Sequence, residues 1–331
     1  MDSIRTLEDP EATVLALDIG GTYTKAGLVS RSGEIRHVAV MDTASGDPFE
    51  QYVPRLAELF DRLRKASEKA DPLAMGVGAP NASSQSGMME TPPNFQWGDR
   101  IPIANTCSKL WELPVFLTND ANAAALGEGR FGAARGLTDF VTLTLGTGLG
   151  SGIVSGGRLL TGANGLAGEL GHINVFPEGR QCNCGLKGCL ETYASVTGIR
   201  RTVFELIANR REPSVLEHYA FEELTGRIIS EAANEGDALA LEAFDYTAGI
   251  LGTKMADTVA HLDPEAFVIS GGLSQAGAIL LEPLKRALEE RLFPVYRGRV
   301  RVLMSSYTSE QAVLGPAALA WEKLEEGLGG R

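Results

Sequence analysis

Apolar residues crowd positions 14–17, stop at Asp18, and resume in alternation through Lys25, Gly27 and Val29. An apolar run before Gly20-Gly21-Thr22 and alternation after it predict a β-hairpin closed by a tight glycine turn. Between 48 and 70, Phe49, Tyr52, Leu56, Leu59 and Leu63 recur three or four apart among charged residues, the spacing of one helix face. Residues 74–78 read as a short buried strand. Residues 81–98 are rich in Ser, Pro, Asn and Gly and predict a long loop, a kind of segment that is commonly functional. Residues 115–117 predict a strand ending at Thr118-Asn119-Asp120, with an Ala-rich helix from 121 to about 129. Residues 140–145 predict another strand, which runs into Gly146-Thr147-Gly148 and continues as a strand at Ile153-Val154. Strand, glycine-threonine turn and strand therefore occur twice, at 14–29 and 140–154, as in a duplicated architecture. Further on, Leu241, Phe244, Ala248, Leu251, Met255, Val259 and Leu262 mark one apolar face of a long helix. A strand at 266–270 meets Gly271-Gly272, a helix follows from about 275, and a strand at 299–304 and a helix at 309–324 close the chain. Strands alternating with helices predict the α/β class.

Composition narrows the function. A length of 331 residues suggests two domains. Glycine is the outlier, with 39 residues, about 12% against a usual value of about 7%. Thirty basic residues against 42 acidic ones give a net charge of −12, and no basic stripe is present, which argues against a nucleic-acid partner. Any bound ATP must then be held by local backbone dipoles and a metal ion against a repulsive overall field. Apolar stretches fall far short of the roughly 20 residues of a membrane helix. Residues 1–10 are acidic and lack the order of a signal peptide, so a cytoplasmic protein is expected. Of the four cysteines, three fall between 182 and 189, a cluster that in a reducing compartment suggests metal rather than disulfides.

Five places carry candidate chemistry. Asp18, Gly20, Gly21, Thr22 and Lys25 combine a carboxylate for Mg²⁺, glycines that permit positive φ and close approach of a phosphate, and a point charge; a hairpin with no ligand uses the same residues. The Walker pattern is absent. Gly146, Thr147 and Gly148, with Gly150 and Gly152, superficially match a dinucleotide fingerprint, but a strand rather than a helix follows, which leaves a phosphate-facing turn. Asn119 and Asp120 fit either a helix N-cap or a general base for a hydroxyl. Gly271 and Gly272 fit either an adenosine-admitting turn or a plain strand-to-helix turn. His172, Cys182, Cys184 and Cys189 make a closed Cys3His set, which fits structural Zn²⁺ that fixes a loop and so positions Glu169, His172 and Glu191. Cys107 lies outside this cluster and reads as a buried or idle thiol.

Taken together, these residues resemble the ROK family of sugar kinases and repressors, within the actin-like ATPase superfamily. The resemblance runs from about 14 to 321 and is most specific at 162–172 and the three cysteines that follow. It implies an α/β fold of two ribonuclease-H-like domains around a central cleft. The small domain would comprise 1–117 plus 310–331, and the large domain 118–309 with the zinc site. It implies ATP and Mg²⁺ on Asp18, the 20–22 and 146–148 turns and the 271–272 turn, and a sugar held by Asn94, Asn119, Asp120, Glu169, His172 and Glu191. Asp120 would be the catalytic base, and His172 would face both zinc and sugar. Homodimers or homotetramers are implied as well. Residues 189–195 resemble the glucokinase branch, with the 6-hydroxyl of glucose as acceptor. N-acetylglucosamine, N-acetylmannosamine and fructose kinases share nearly all the same residues. A non-catalytic sugar sensor and a DNA-binding repressor are the rival readings.

Overall fold

A computed structural model describes residues 7–67, 71–93, 95–209 and 213–329. Most of the acidic segment 1–10 and the expected sugar ligand Asn94 lie outside the described residues. The chain divides into two compact units, one of residues 1–136, 159–167 and 306–331, the other of residues 137–158 and 168–305. The expected crossing at 117/118 is thus displaced to 136/137, and that at 309/310 to 305/306.

The first unit opens with β1 (Thr13–Ile19), β2 (Tyr23–Ser30) and β3 (Ile35–Asp42), an antiparallel meander. It continues through α1 (Phe49–Ala66), β4 (Met75–Ala79), a small antiparallel sheet of β5 (Ala82–Ser83), β6 (Met88–Glu90) and β7 (Arg100–Ile101), then α2 (Ile103–Trp111), β8 (Val115–Asn119) and α3 (Asp120–Phe131). The second unit holds β9 (Phe140–Leu145), β10 (Leu149–Ser155), α4 (Val196–Asn209), α5 (Gly226–Asn234), α6 (Ala238–Leu262), β12 (Ala266–Ser270), α7 (Ala278–Arg291) and β13 (Arg301–Met304), and the short β11 (Arg158–Leu159) falls on its boundary. The C-terminal helix α8 (Leu314–Gly329) belongs to the first unit.

The two main sheets repeat one plan. Their orders are β3-β2-β1-β4-β8 and β11-β10-β9-β12-β13, each with an antiparallel hairpin at one side and parallel strands at the other. The duplication suggested by the two glycine-threonine turns is therefore present at the level of topology.

Alternation along β1 explains why this strand is apolar throughout. Leu15, Leu17 and Ile19 pack with Tyr52, Leu56, Leu59 and Phe60 of α1, whereas Val14 and Ala16 pack with Ala317, Ala320 and Trp321 of α8. Burial on both faces removes the polar positions that a half-exposed strand would show. Glycines in β4 let helices approach closely: a Cβ on Gly76 would lie 1.8 Å from the carbonyl oxygen of Pro316, and one on Gly78 would lie 3.0 Å from Cβ of Ala123. Gly127 of α3 and Gly315 of α8 also meet backbone to backbone. This helix contact places α3 in the first unit and displaces the domain crossing.

In the second unit Val141, Leu143 and Leu145 of β9 and Phe267 and Ile269 of β12 pack with Phe244, Ala248, Leu251, Met255 and Val259 of α6. Leu241 leaves the predicted apolar face and is exposed. Three further expectations are revised. Residues 81–98 are not one loop but contain β5 and β6. The edge strand β3 was not anticipated, because its half-exposed positions include Arg36 and His37. The helices expected from about 275 and 309 each begin with a 3-10 turn, at Gly272–Ala276 and Ser309–Val313, before α7 and α8.

Candidate active site

In the first unit, parallel pairing brings chemistry to one edge of the sheet. Asp18 stands opposite Gly78 in the β1–β4 register, and Ala79 opposite Asn119 in the β4–β8 register, so Asp18 and the Asn119-Asp120 pair occupy the C-terminal strand ends on either side of β4. That is the edge where open α/β sheets bind ligands. Burial and the nearby Asp120 charge push the Asp18 carboxyl up to about 7, against the pull of Lys25, its cross-strand partner. Asp120 is open to solvent on one side, yet the surrounding protein raises its pKa, with the Ala121 N–H partly offsetting the shift. Asn119 is the N-cap of α3: its Oδ1 accepts from Ala121 N at 2.8 Å, and Asp120 Oδ1 accepts from the same N–H at 2.8 Å. The capping reading of Asn119 is thus realised.

The turn after β1 closes through Gly20 N donating to Tyr23 O at 3.0 Å, and the turn after β9 through Gly146 N donating to Gly148 O at 3.0 Å. Among the described residues, the N–H groups of Gly21 and Thr22, and of Thr147 and Gly148, have no acceptor. A Cβ on Gly21 or on Gly146 would meet nothing within 4 Å. Both turns therefore offer open N–H pairs suited to a phosphate. The expected positive φ is not found at Gly20, Gly21, Gly146 or Gly148; among these candidate glycines it occurs at Gly271, with φ 89°. There a Cβ would lie 2.6 Å from the Leu145 backbone, so close packing against β9 as well as the torsion demands glycine.

In the second unit, His172, Cys182, Cys184 and Cys189 bring one ligand atom each to within 4.8 Å of the others. Cys184 Sγ and Cys189 Sγ are 3.6 Å apart, and Cys182 Sγ and His172 Nδ1 are 3.8 Å apart. Ligands about 2.0–2.3 Å from a tetrahedral zinc would be spaced by roughly 3.5–3.8 Å, so the set fits that ion. Nδ1 faces the cluster, which leaves Nε2 of His172 on the far side of the ring.

Glu191 joins this cluster to the second glycine turn. Its Oε1 accepts from Cys182 Sγ at 3.0 Å and lies 3.9 Å from His172 Nδ1, while its Oε2 accepts from Leu149 N at 3.4 Å. Glu169 is exposed at the start of the 3-10 turn Leu170–His172.

Two residues that hold this region escaped the sequence. Ser151 on β10 donates to Gly168 O and accepts from Leu170 N at 3.1 Å, which fixes the segment that carries Glu169 and His172. Arg180 donates to Thr192 O at 2.7 Å, to Gly198 O at 3.1 Å and to Glu205 Oε1 at 2.9 Å, and lies over the Tyr193 ring. Ser151 was hidden inside a glycine motif, and the partners of Arg180 are remote from any local pattern.

The architecture and these strand-end sites define a class of two-unit α/β proteins with duplicated glycine turns that offer open N–H groups. The chain belongs to the ROK family, whose model matches residues 14–323. The glucokinase of Thermotoga maritima is 35% identical over 317 residues, covering 95% of this chain and 99% of that protein. A ROK family glucokinase from Streptomyces griseus, solved in complex with glucose and AMPPNP, is 34% identical with a TM-score of 0.81, covering 94% of this chain and all of that one. A ROK family transcriptional regulator, homologous to the Escherichia coli MLC protein, is 30% identical with a TM-score of 0.86, and this chain matches 79% of it. The resemblance and the actin-like α/β fold expected from the sequence are therefore borne out. Among the described residues no helix is long and apolar enough to cross a membrane.

Proposed function

We propose that this protein is an ATP-dependent hexose kinase that phosphorylates the 6-hydroxyl of glucose. The observation that carries this reading is the Asp120 carboxylate at the C-terminal end of β8, on the sheet edge that also carries Asp18 and the open N–H pair of the first glycine turn. A kinase needs such a carboxylate to accept the hydroxyl proton as oxygen attacks phosphorus. A repressor or sensor needs neither the carboxylate nor the open turns. The likeness to glucokinases of matching length supports the same choice.

In this mechanism Asn119, Asp120, Glu169, His172 and Glu191, together with Asn94, orient the sugar. The N–H groups at 21–22 and 147–148 receive phosphate oxygens, and the 271–272 turn admits the adenosine. Asp18 and Lys25 lie beside the first turn, Asp18 to hold Mg²⁺, which when bound neutralises charge on the phosphates. Asp120 takes the proton from the 6-hydroxyl. The Cys3His set would hold one Zn²⁺, which when bound keeps the 172–191 segment in shape behind His172 and Glu191. We further assign the protein to the cytoplasm, without a nucleic-acid partner, as a homodimer or homotetramer.

A coupled ADP-release assay over glucose, mannose, fructose, N-acetylglucosamine and N-acetylmannosamine tests the reading. Glucose should give the highest kcat/KM, with glucose 6-phosphate as product. Preference for an N-acetylhexosamine would overturn the choice of sugar, and no ADP release with any hexose would overturn the kinase.

A further inference from the structure

Three fully buried hydroxyls, those of Tyr52, Thr24 and Thr43, form a chain in the first unit that ends on the first glycine turn. Tyr52 Oη lies 3.2 Å from Thr24 Oγ1, Thr24 Oγ1 lies 2.9 Å from Thr43 Oγ1, and Thr43 Oγ1 donates to Gly20 O at 2.7 Å. Each hydroxyl has one hydrogen. With that of Thr43 committed to Gly20 O, Thr24 must donate to Thr43, and Tyr52 must donate to Thr24. The direction of the whole chain follows from its last bond. It requires a protonated Tyr52, in keeping with the burial that raises the pKa of this phenol.

Thr43 also holds the other side of the turn, because its N–H donates to Thr22 O at 2.8 Å. One residue thus holds the peptides on both sides of the turn, and its bond to Gly20 O fixes the plane of the Gly20–Gly21 peptide, in which the open N–H of Gly21 points. The segment that follows Thr43 is tied elsewhere: Gln96 N donates to Ser45 O at 2.8 Å. Trp97 packs against Tyr52 with ring centroids 4.4 Å apart and the planes tilted by 43°, and also meets Phe49 and Phe95. Residues 43–45 and the Tyr52 side chain therefore connect the phosphate turn to the segment at 95–97 by two independent routes, one through backbone and one through aromatic packing.

We infer that Thr43 and Tyr52 are positioning residues that couple sugar binding to nucleotide binding. This rests on the kinase reading above, in which Asn94, adjoining Phe95, takes a sugar hydroxyl. Ordering of residues 95–97 by sugar is transmitted through Ser45 and Tyr52 to Thr43, which sets the Gly20–Gly21 peptide and its open N–H for phosphate. Neither side chain touches substrate.

Binding of Mg-AMPPNP is measured by calorimetry with and without saturating glucose, in the wild type and in Thr43→Val, Thr43→Ser and Tyr52→Phe. In the wild type glucose should tighten AMPPNP binding. Loss of one hydrogen bond to a buried carbonyl is worth about fivefold or more in affinity. Thr43→Val should lose at least about fivefold of the glucose-dependent gain while glucose affinity stays within about twofold. Thr43→Ser, which retains the hydroxyl, should keep the gain, and Tyr52→Phe should lose part of it. A Thr43→Val protein with the full gain, a Thr43→Ser protein that loses it, or a wild type that turns over hexose without any gain would overturn the inference. A wild type that neither binds nor phosphorylates any hexose would overturn the kinase reading itself, and the coupling with it.

Discussion

The Glu191 carboxylate occupies the space that a side chain at Gly148 would need: a Cβ there would lie 2.5 Å from Glu191 Oε2. The glycine of the second glycine-threonine turn is therefore explained by an acid 43 residues downstream, not by its own backbone torsion. The same carboxylate touches the Cys3His set through Cys182. One acid thus spans the two features.

Gly148→Ala tests that relationship. The obstructing atom is the far end of a flexible side chain, so the protein should fold with a loss of less than about 1 kcal/mol. Glu191 must swing away from Leu149 N, and KM for glucose should rise about tenfold or more, since a displaced ligand to a sugar hydroxyl is costly. Thermal melts and initial rates read both quantities.

Metal analysis of the purified protein should find about one zinc per chain. Cys184→Ser should lower zinc occupancy and the melting temperature together, because the closed donor set stabilises its loop only with the ion bound. The rise in glucose KM should exceed the fall in kcat, as the segment carrying His172 and Glu191 loosens while the first unit keeps Asp120. A fully active, zinc-free wild type would contradict the assignment.

Asp18 should tax stability in a pH-dependent way. Its folded pKa stands at about 7, above the unfolded value of 3.8, so between those values the native state binds more protons than the unfolded state. Unfolding free energy then falls as pH rises from about 4 to about 7. Asp18→Asn should flatten that slope and raise stability at pH 8 by roughly 1–4 kcal/mol in the absence of nucleotide and Mg²⁺. The same variant should lose most of its activity. Urea titrations at several pH values give the slope.

The parts of the fold that were legible in the sequence are those written in local periods. The hairpin at Asp18, the strand end at Asn119 and the spacing of Cys182, Cys184 and Cys189 all follow from neighbours in the chain. What escaped depends on partners far away. Gly76 and Gly78 look like flaws in a strand until Pro316 and Ala123 are seen against them. The domain crossing at 136/137 reflects the meeting of Gly127 with Gly315, 188 residues apart, which no composition shift announces. The glycine turns at 20–22 and 146–148 do not use the torsional freedom of glycine. Their value lies in open N–H groups and absent side chains, whereas positive φ belongs to Gly271. Ser151, Arg180 and Thr43 act through hydrogen bonds to partners far along the chain, a signal that residue type and spacing do not carry.

The pH dependence of turnover should follow the base. Burial raises the Asp120 pKa above the ordinary carboxylate range, and the base works only when unprotonated, so kcat should fall as pH is lowered through that raised value. A kcat that does not fall on acidification, while the protein stays folded, would contradict Asp120 as the base.

Asp120→Asn tests the central claim most directly, because it keeps the shape of the side chain and removes its basicity. Turnover of glucose should fall by about 10²–10⁴. Glucose affinity, measured by calorimetry, should stay within about fivefold, since the amide oxygen can still accept from the sugar hydroxyl or from Ala121 N. A folded Asp120→Asn protein that binds glucose and phosphorylates it at near the wild-type rate would contradict the account.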